Sequence, residues 1–209
     1  DTKNKIDDFK LCLSKSFSLA SYITVNISSP NTEGLRNFHK SDYLNDLLKS
    51  LNELRNKENI KKPVVVKLSP DIDNSEISNI IELILKFRIN GLIISNTSDK
   101  NREDLLDAKK NEKGGLSGKP IENLSTKLIK KFYTETKNKI PIIGVGGVNS
   151  GQGAFEKITT GASAVQLYTG MIYNGPGIVK KIKKELILIL KKEKIKNIEE
   201  AVGINAWPS

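Results

Sequence analysis

A chain of 209 residues can bury one sizeable core, and a composition of 37% hydrophobic and 28% charged residues excludes a disordered tract or a fibre, so one soluble domain spanning 1–209 is expected. The net charge of +10 would suit an anionic partner, yet runs such as Lys180-Lys181-Ile182-Lys183-Lys184 interleave lysine with apolar residues as solvated helix faces do, and 6% aromatics leave little for base stacking; nucleic acid is not an expected partner. A single cysteine excludes an internal disulfide, and the single histidine has no cysteine or carboxylate at metal-ligand spacing, so no metal site is expected.

No apolar run approaches the roughly 20 residues of a membrane span, and no signal peptide precedes the first helical pattern. The chain opens on Asp1 rather than Met, which suggests a missing upstream segment. Ile6, Phe9, Leu13 and Phe17 recur at helical steps, and Cys12, between Leu11 and Leu13, is expected in the core. Tyr22 to Ile27, rich in β-branched residues, reads as a buried strand that Pro30, Asn31 and Gly34 terminate. Asn26, Ser28, Ser29, Asn31 and Thr32 crowd at its C-terminal end. They suit a small, flat, polar ligand gripped by hydrogen bonds, or equally a turn of ordinary Ser/Asn composition. His39 is expected on a surface loop.

Tyr43, Leu44, Leu47, Leu48, Leu51 and Leu54 make an amphipathic helix, with Ser41 as its expected cap. Pro63 to Pro70 is a short apolar strand containing Lys67. A lysine among valines implies either an anion that compensates its desolvation or a side chain that snorkels to water. A helix through Ser75, Ile77, Ile80, Ile81, Ile84 and Leu85 follows, then a strand from Gly91 that turns polar at Asn96 and Thr97. Residues 99 to 120 carry no strong period and include Gly114-Gly115-Leu116-Ser117-Gly118, the composition of a long mobile loop that could act as a lid. A helix through Leu124, Leu128, Ile129 and Phe132, a strand from Pro141 to Val148, a helix over 154–158 and a strand from Ala162 to Thr169 come next. Helices over 178–192 and 198–202 close the chain.

Apolar strands alternating with helices five times demand a parallel sheet covered by helices. A doubly wound sheet and a barrel share that rhythm. The barrel is favoured because polar residues end all five strands (Asn26/Ser29, Lys67, Asn96/Thr97, Gly146/Gly147, Tyr168/Thr169), and a barrel gathers such ends into one mouth. A complete (β/α)8 barrel needs eight strands and about 250 residues. The expected fold is therefore α/β, an incomplete TIM barrel with the last five β/α units present and the first three strands missing. Gly146-Gly147 and Thr169-Gly170 occupy the last two strand ends, where a phosphate is usual and where a plain glycine turn is the alternative. Neither a dinucleotide fingerprint nor a P-loop is present.

Six motifs, in order, carry a family resemblance: Asn26-Ile-Ser-Ser-Pro-Asn-Thr-Glu-Gly-Leu-Arg36, Val66-Lys-Leu-Ser-Pro-Asp71, Ser95-Asn-Thr97, Gly114-Gly-Leu-Ser-Gly-Lys-Pro120, Pro141-Ile-Ile-Gly-Val-Gly-Gly147 and Gln166-Leu-Tyr-Thr169. The chain resembles the C-terminal part of a class 2, quinone-dependent dihydroorotate dehydrogenase. The resemblance implies FMN as cofactor and oxidation of dihydroorotate to orotate in de novo UMP synthesis. It further implies a quinone acceptor and peripheral attachment to a bacterial or mitochondrial inner membrane. By the same resemblance Ser29 is the catalytic base, with Thr32 in its proton relay; the related cytosolic class carries cysteine there. Asn26, Asn31, Asn96 and Thr97 match substrate contacts, and Asn26 also borders the flavin. Lys67 matches the lysine at the flavin's N1/O2 edge, where positive charge favours the reduced ring. Ser95, Ser117 and Gly118 match further flavin contacts, and Gly146, Gly147, Tyr168 and Thr169 a phosphate cradle. The family's first strands, with a substrate lysine and asparagine, and its N-terminal membrane-docking helices have no counterpart here, so these residues alone are expected to be inactive. Another FMN barrel, such as one reducing a uracil-like base in RNA, and a non-catalytic partial-barrel binding module remain the alternatives.

Overall fold

A computed structural model describes residues 4–100 and 102–207. Five strands, β1 (Ile23–Asn26), β2 (Val64–Leu68), β3 (Gly91–Ile94), β4 (Ile142–Val145) and β5 (Ala164–Gln166), form one parallel sheet in sequential order, with β1 and β5 at its edges among the described residues. Among the described residues seven α-helices, α1 (Lys5–Ser16), α2 (Ser41–Lys57), α3 (Asn74–Lys86), α4 (Glu122–Glu135), α5 (Gly151–Thr159), α6 (Thr169–Asn174) and α7 (Ile178–Lys192), precede, alternate with or follow the strands. None of the described helices is long and apolar enough to cross a membrane.

The pairing sets Val25, Val66, Leu92 and Ile142 side by side on one face, and all four are buried beneath the helices. There they meet Leu44, Leu47, Leu48 and Leu51, the apolar stripe of α2. Each buried leucine contributes about 1.5–3 kcal/mol. The opposite face carries Asn26, Lys67, Ile93, Ile143 and Ala164 in register. In a flat sheet β1 and β5 would stand four strand spacings, about 19 Å, apart. The Gln166 amide nevertheless donates to the Tyr22 hydroxyl at 3.4 Å, a span the two side chains cover only because the sheet curls around this face.

Several expectations need correction. Cys12 is exposed rather than in the core, because α1 buries the stripe through Leu13 and position 12 falls off it. His39 is buried rather than on the surface, since Leu35–His39 forms a 3-10 turn that tucks the ring against the end of β2. Ser41 is the first residue of α2 and makes no cap; the capping position is Lys40. β5 ends at Gln166, and Thr169 opens a six-residue helix that periodicity did not reveal. The loop over 99–120 is pinned at its neck by pairing of Ser98 with Leu116. Farther out, the Arg102 guanidinium donates to the carbonyls of Lys110 (2.8 Å), Glu112 (3.0 Å) and Gly114.

Candidate functional site

The C-terminal ends of all five strands converge. On the side of β1 and β3, one hydrogen-bonded set joins two strand ends. Asn26 Oδ1 accepts from the Ser28 hydroxyl at 2.9 Å, and Asn96 Nδ2 donates to Ser28 Oγ at 3.0 Å and to Asn26 Oδ1 at 3.3 Å. Asn96 Oδ1 accepts in turn from the Thr97 N–H at 2.8 Å. With its oxygen engaged, Asn26 is oriented so that its NH2 group, which donates to no described residue, is free for a ligand oxygen.

Ser29 is half-buried, and its Oγ accepts from the Asn31 N–H at 3.2 Å. That contact leaves the hydroxyl proton uncommitted and places a donor where negative charge on Oγ would develop. Asn31 and Thr32 are exposed, and among the described residues no hydrogen bond joins Thr32 to Ser29. The 99–120 loop reaches this side: a Cβ on Gly115 would run into Thr97 Oγ1 and lie 3.0 Å from Pro30 Cγ.

Lys67 lies next to Asn26 in the sheet register, half-buried, with no hydrogen bond or ion pair to any described residue. Burial lowers its pKa. A partly desolvated ammonium without a counter-charge is what an anionic ligand edge would satisfy. It borders a cavity of about 300 Å³ that also draws on Ser95, Asn96, Thr97, Ser117, Gly118, Gly146, Gly147, Tyr168 and Thr169. Asn26, Ser29, Asn31 and Thr32 are not in its lining; Asn96 links it to Asn26.

The far end of that cavity is built from backbone. Gly118 and Gly147 have φ of 79° and 77°, in the left-handed region that only glycine enters freely. Gly118 packs on Thr169, whose hydroxyl donates to Ser117 Oγ at 2.9 Å, while a Cβ on Gly147 would stand 2.8 Å from Glu122 Cα. Glycine is required at both positions because Thr169 and Glu122 occupy the space a side chain would take. Tyr168, by contrast, is largely exposed.

Two buried groups behind the site had no sequence signal beyond their residue type. His39 presents Nε2 to the Ser69 N–H at 3.2 Å and Nδ1 to the Arg36 carbonyl at 2.9 Å, the pattern of a neutral ring with its proton on Nδ1. Burial pulls its pKa down to about 4. Lys157, fully buried, donates to Thr126 Oγ1 (3.0 Å), Ser125 Oγ (3.2 Å) and the Glu122 carbonyl (3.3 Å). Burial lowers it to about 8 against the opposing pull of Glu122 and Glu156. Ser125 bonds the Val145 carbonyl, so this lysine buttresses the strand end that leads into Gly146.

The dihydroorotate dehydrogenase family profile matches residues 1–190. The quinone dihydroorotate dehydrogenase of Trichodesmium erythraeum is 47% identical over 191 residues, which are 88% of this chain and 50% of that protein. A Haemophilus influenzae counterpart is 43% identical over 86% of this chain and 54% of its own length. The mitochondrial Arabidopsis thaliana protein is also 43% identical, over 88% of this chain and 41% of its own. The chain spans about half the length of the curated relatives it matches. The crystal structure of the Eimeria tenella enzyme in complex with ferulenol superposes with a TM-score of 0.95 at 33% identity, covering all of this chain and 60% of that one.

Proposed function

This chain belongs to the dihydroorotate dehydrogenase family, and we propose that it carries the flavin and pyrimidine site of an enzyme that oxidises dihydroorotate to orotate with a quinone acceptor, in de novo UMP synthesis. The observation that carries the reading is the cavity in which the unpartnered Lys67 meets the glycine-built end at Gly118, Gly146 and Gly147. Positive charge at one end and open main chain at the other fit FMN, with the ring system toward Lys67 and the phosphate toward Gly147 and Thr169. When bound, FMN supplies the acceptor for the hydride that leaves C6 of dihydroorotate and passes the electrons to the quinone.

The chain's own residues supply the rest. Ser29 Oγ takes the proton from C5 as its own hydroxyl proton departs, and the Asn31 N–H stabilises the negative charge that this departure develops on Oγ. Thr32, exposed and joined to Ser29 by no hydrogen bond among the described residues, receives the departing hydroxyl proton through a bridging water and passes it to solvent. Asn26, Asn31, Asn96 and Thr97 hold the pyrimidine, with the Asn26 NH2 free to donate and the Asn96 amide, fixed by its bonds to Asn26, Ser28 and Thr97, keeping Asn26 in place. Ser95, Ser117 and Gly118 line the flavin, and Gly146, Gly147, Tyr168 and Thr169 surround its phosphate. Residues 1–209 act as one domain, the last five β/α units of a TIM barrel, an architecture to which the curled parallel sheet is suited. Use of a quinone carries with it peripheral attachment to a bacterial or mitochondrial inner membrane.

At its full encoded length the protein is expected to purify yellow, to lose visible flavin absorbance when dihydroorotate is added without oxygen, and to regain it with a quinone. A colourless protein that takes up no added FMN overturns the reading.

A further inference from the structure

We propose that Arg36 is a positioning residue that fastens the ends of β1, β2 and β3 to one another, so that the substrate side of the site holds its shape as one unit. The proposal rests on the reading above for the identity of the ligand, and on geometry alone for the fastening. Arg36 sits on no strand; it comes from the 3-10 turn that follows the Ser/Asn loop. Its guanidinium reaches three strand ends at once. Nε donates to the Ser28 carbonyl (3.4 Å) beyond β1, one terminal nitrogen to Asp71 Oδ2 (3.1 Å) beyond β2, and the other to the Thr97 carbonyl (3.0 Å) beyond β3. Asp99 Oδ1 lies 2.7 Å from the nitrogen that serves Asp71.

The acceptors are themselves fixed. Asp71, its side chain 4% exposed, also receives the Ser98 hydroxyl at 2.6 Å and the Asp99 N–H at 3.1 Å. The main chain of Arg36 is held a second time, because its carbonyl accepts from His39, whose other nitrogen accepts from Ser69 at the end of β2. The two carbonyls Arg36 grips belong to residues adjacent to the chemistry. Ser28 precedes Ser29 and bonds Asn26 and Asn96, and Thr97 follows Asn96. A shift of either carbonyl therefore displaces the amides and the hydroxyl that meet the pyrimidine, and misplacement of reacting groups by about 1 Å can cost on the order of a hundredfold. No bond from Arg36 reaches Ser117, Gly118, Gly147 or Thr169 directly; its route toward them runs through Asp71 and Ser98 to Leu116, so the phosphate end depends on it less than the substrate side does. Only a planar fork with five N–H groups serves acceptors in these directions; a lysine ammonium, a point charge with three donors, does not.

The test uses Arg36→Ala and Arg36→Lys in the protein at its full encoded length. Orotate affinity, read from its perturbation of the flavin spectrum, is expected to fall roughly tenfold to a hundredfold in both variants, while FMN affinity, held also at Gly147 and Thr169, falls by a clearly smaller factor. Hydrogen exchange is expected to quicken together over 28–36, 69–71 and 97–99 and to stay unchanged over 146–147 and 169–170. Exchange that quickens only in the turn holding Arg36, or orotate affinity restored by lysine, overturns the proposal. If Arg36→Ala does not fold, Arg36→Lys alone decides by the same two readouts. A wild-type protein that binds no orotate sinks the functional reading instead, and the exchange pattern still decides the fastening.

Discussion

The ends of β1 to β3 and the ends of β4 and β5 lie along the same rim of the sheet, yet they present polar surface in different ways. The first three strand ends do it with side chains: Asn26, Ser28 and Asn96 share hydrogen bonds, and Arg36 ties the Ser28 and Thr97 carbonyls to the Asp71 carboxylate. The last two, with the loop that carries Gly118, do it by leaving side chains out, Gly118 and Gly147 in left-handed conformations and packed against Thr169 and Glu122. A side-chain surface can lose a functional group and keep its fold, since the lost atoms pointed at the ligand. A main-chain surface fails in the opposite way, by gaining atoms, and the added carbon strikes a neighbour that is part of the fold.

Four measurements bear on this contrast. Ser29→Ala, on the side-chain half, is expected to lower turnover of dihydroorotate with a quinone by about 10²–10⁴-fold, the usual worth of a positioned base, with flavin content and melting temperature unchanged. Loss of flavin in that variant would show that the two halves are not separable. Gly147→Ala, on the main-chain half, forces a Cβ to 2.8 Å from Glu122 Cα at a φ of 77°. It should cost about 3 kcal/mol in denaturant unfolding and weaken FMN binding with it. Gly175→Ala is the comparison, because Gly175 has a φ of 72° and a ψ of 176° but nothing within 4 Å of its Cβ position; about 1–2 kcal/mol is expected there from backbone strain alone. Equal losses in the two alanine variants would assign the effect to backbone angle and not to crowding.

Acid should strike the side-chain half through His39. Its folded pKa, about 4, lies below the ordinary 6.5, so the unfolded chain binds the proton more readily between those values. Stability is then complete above pH 6.5 and is lost as pH falls toward 4, by about 2 kcal/mol at pH 5. His39→Gln should flatten that part of the curve; an unchanged acid limb would acquit the histidine. The smallest effect belongs to Thr169→Val, which removes the hydroxyl that donates to Ser117. About 1 kcal/mol is expected in chemical denaturation, with FMN affinity the more sensitive reading.

Much of the side-chain half was legible in the linear order of residues. Asn26, Ser29, Asn96 and Thr97 are polar residues at the ends of apolar strands, and Lys67 is conspicuous among valines. Burial was less legible. Cys12 lies between two leucines and is exposed, while His39 lies in a polar stretch and is buried, because helix phase decides the first and a turn's packing against β2 decides the second. Arg36 stood in plain view within a motif, but its partners Asp71, Thr97 and Asp99 are dozens of residues away and nothing local announces them.

The order of residues by itself determined the five alternations of apolar strand and amphipathic helix and the polar character of each strand's C-terminal end. Both follow from periods of two to four residues and from where the chain must leave the core for water. The tertiary structure alone decided that the sheet curls until Gln166 reaches Tyr22, that Gly147 must be bare because Glu122 lies against it, and that one guanidinium joins three strand ends. Those are meetings of distant segments, and they are set by packing across the whole core, which no local pattern encodes.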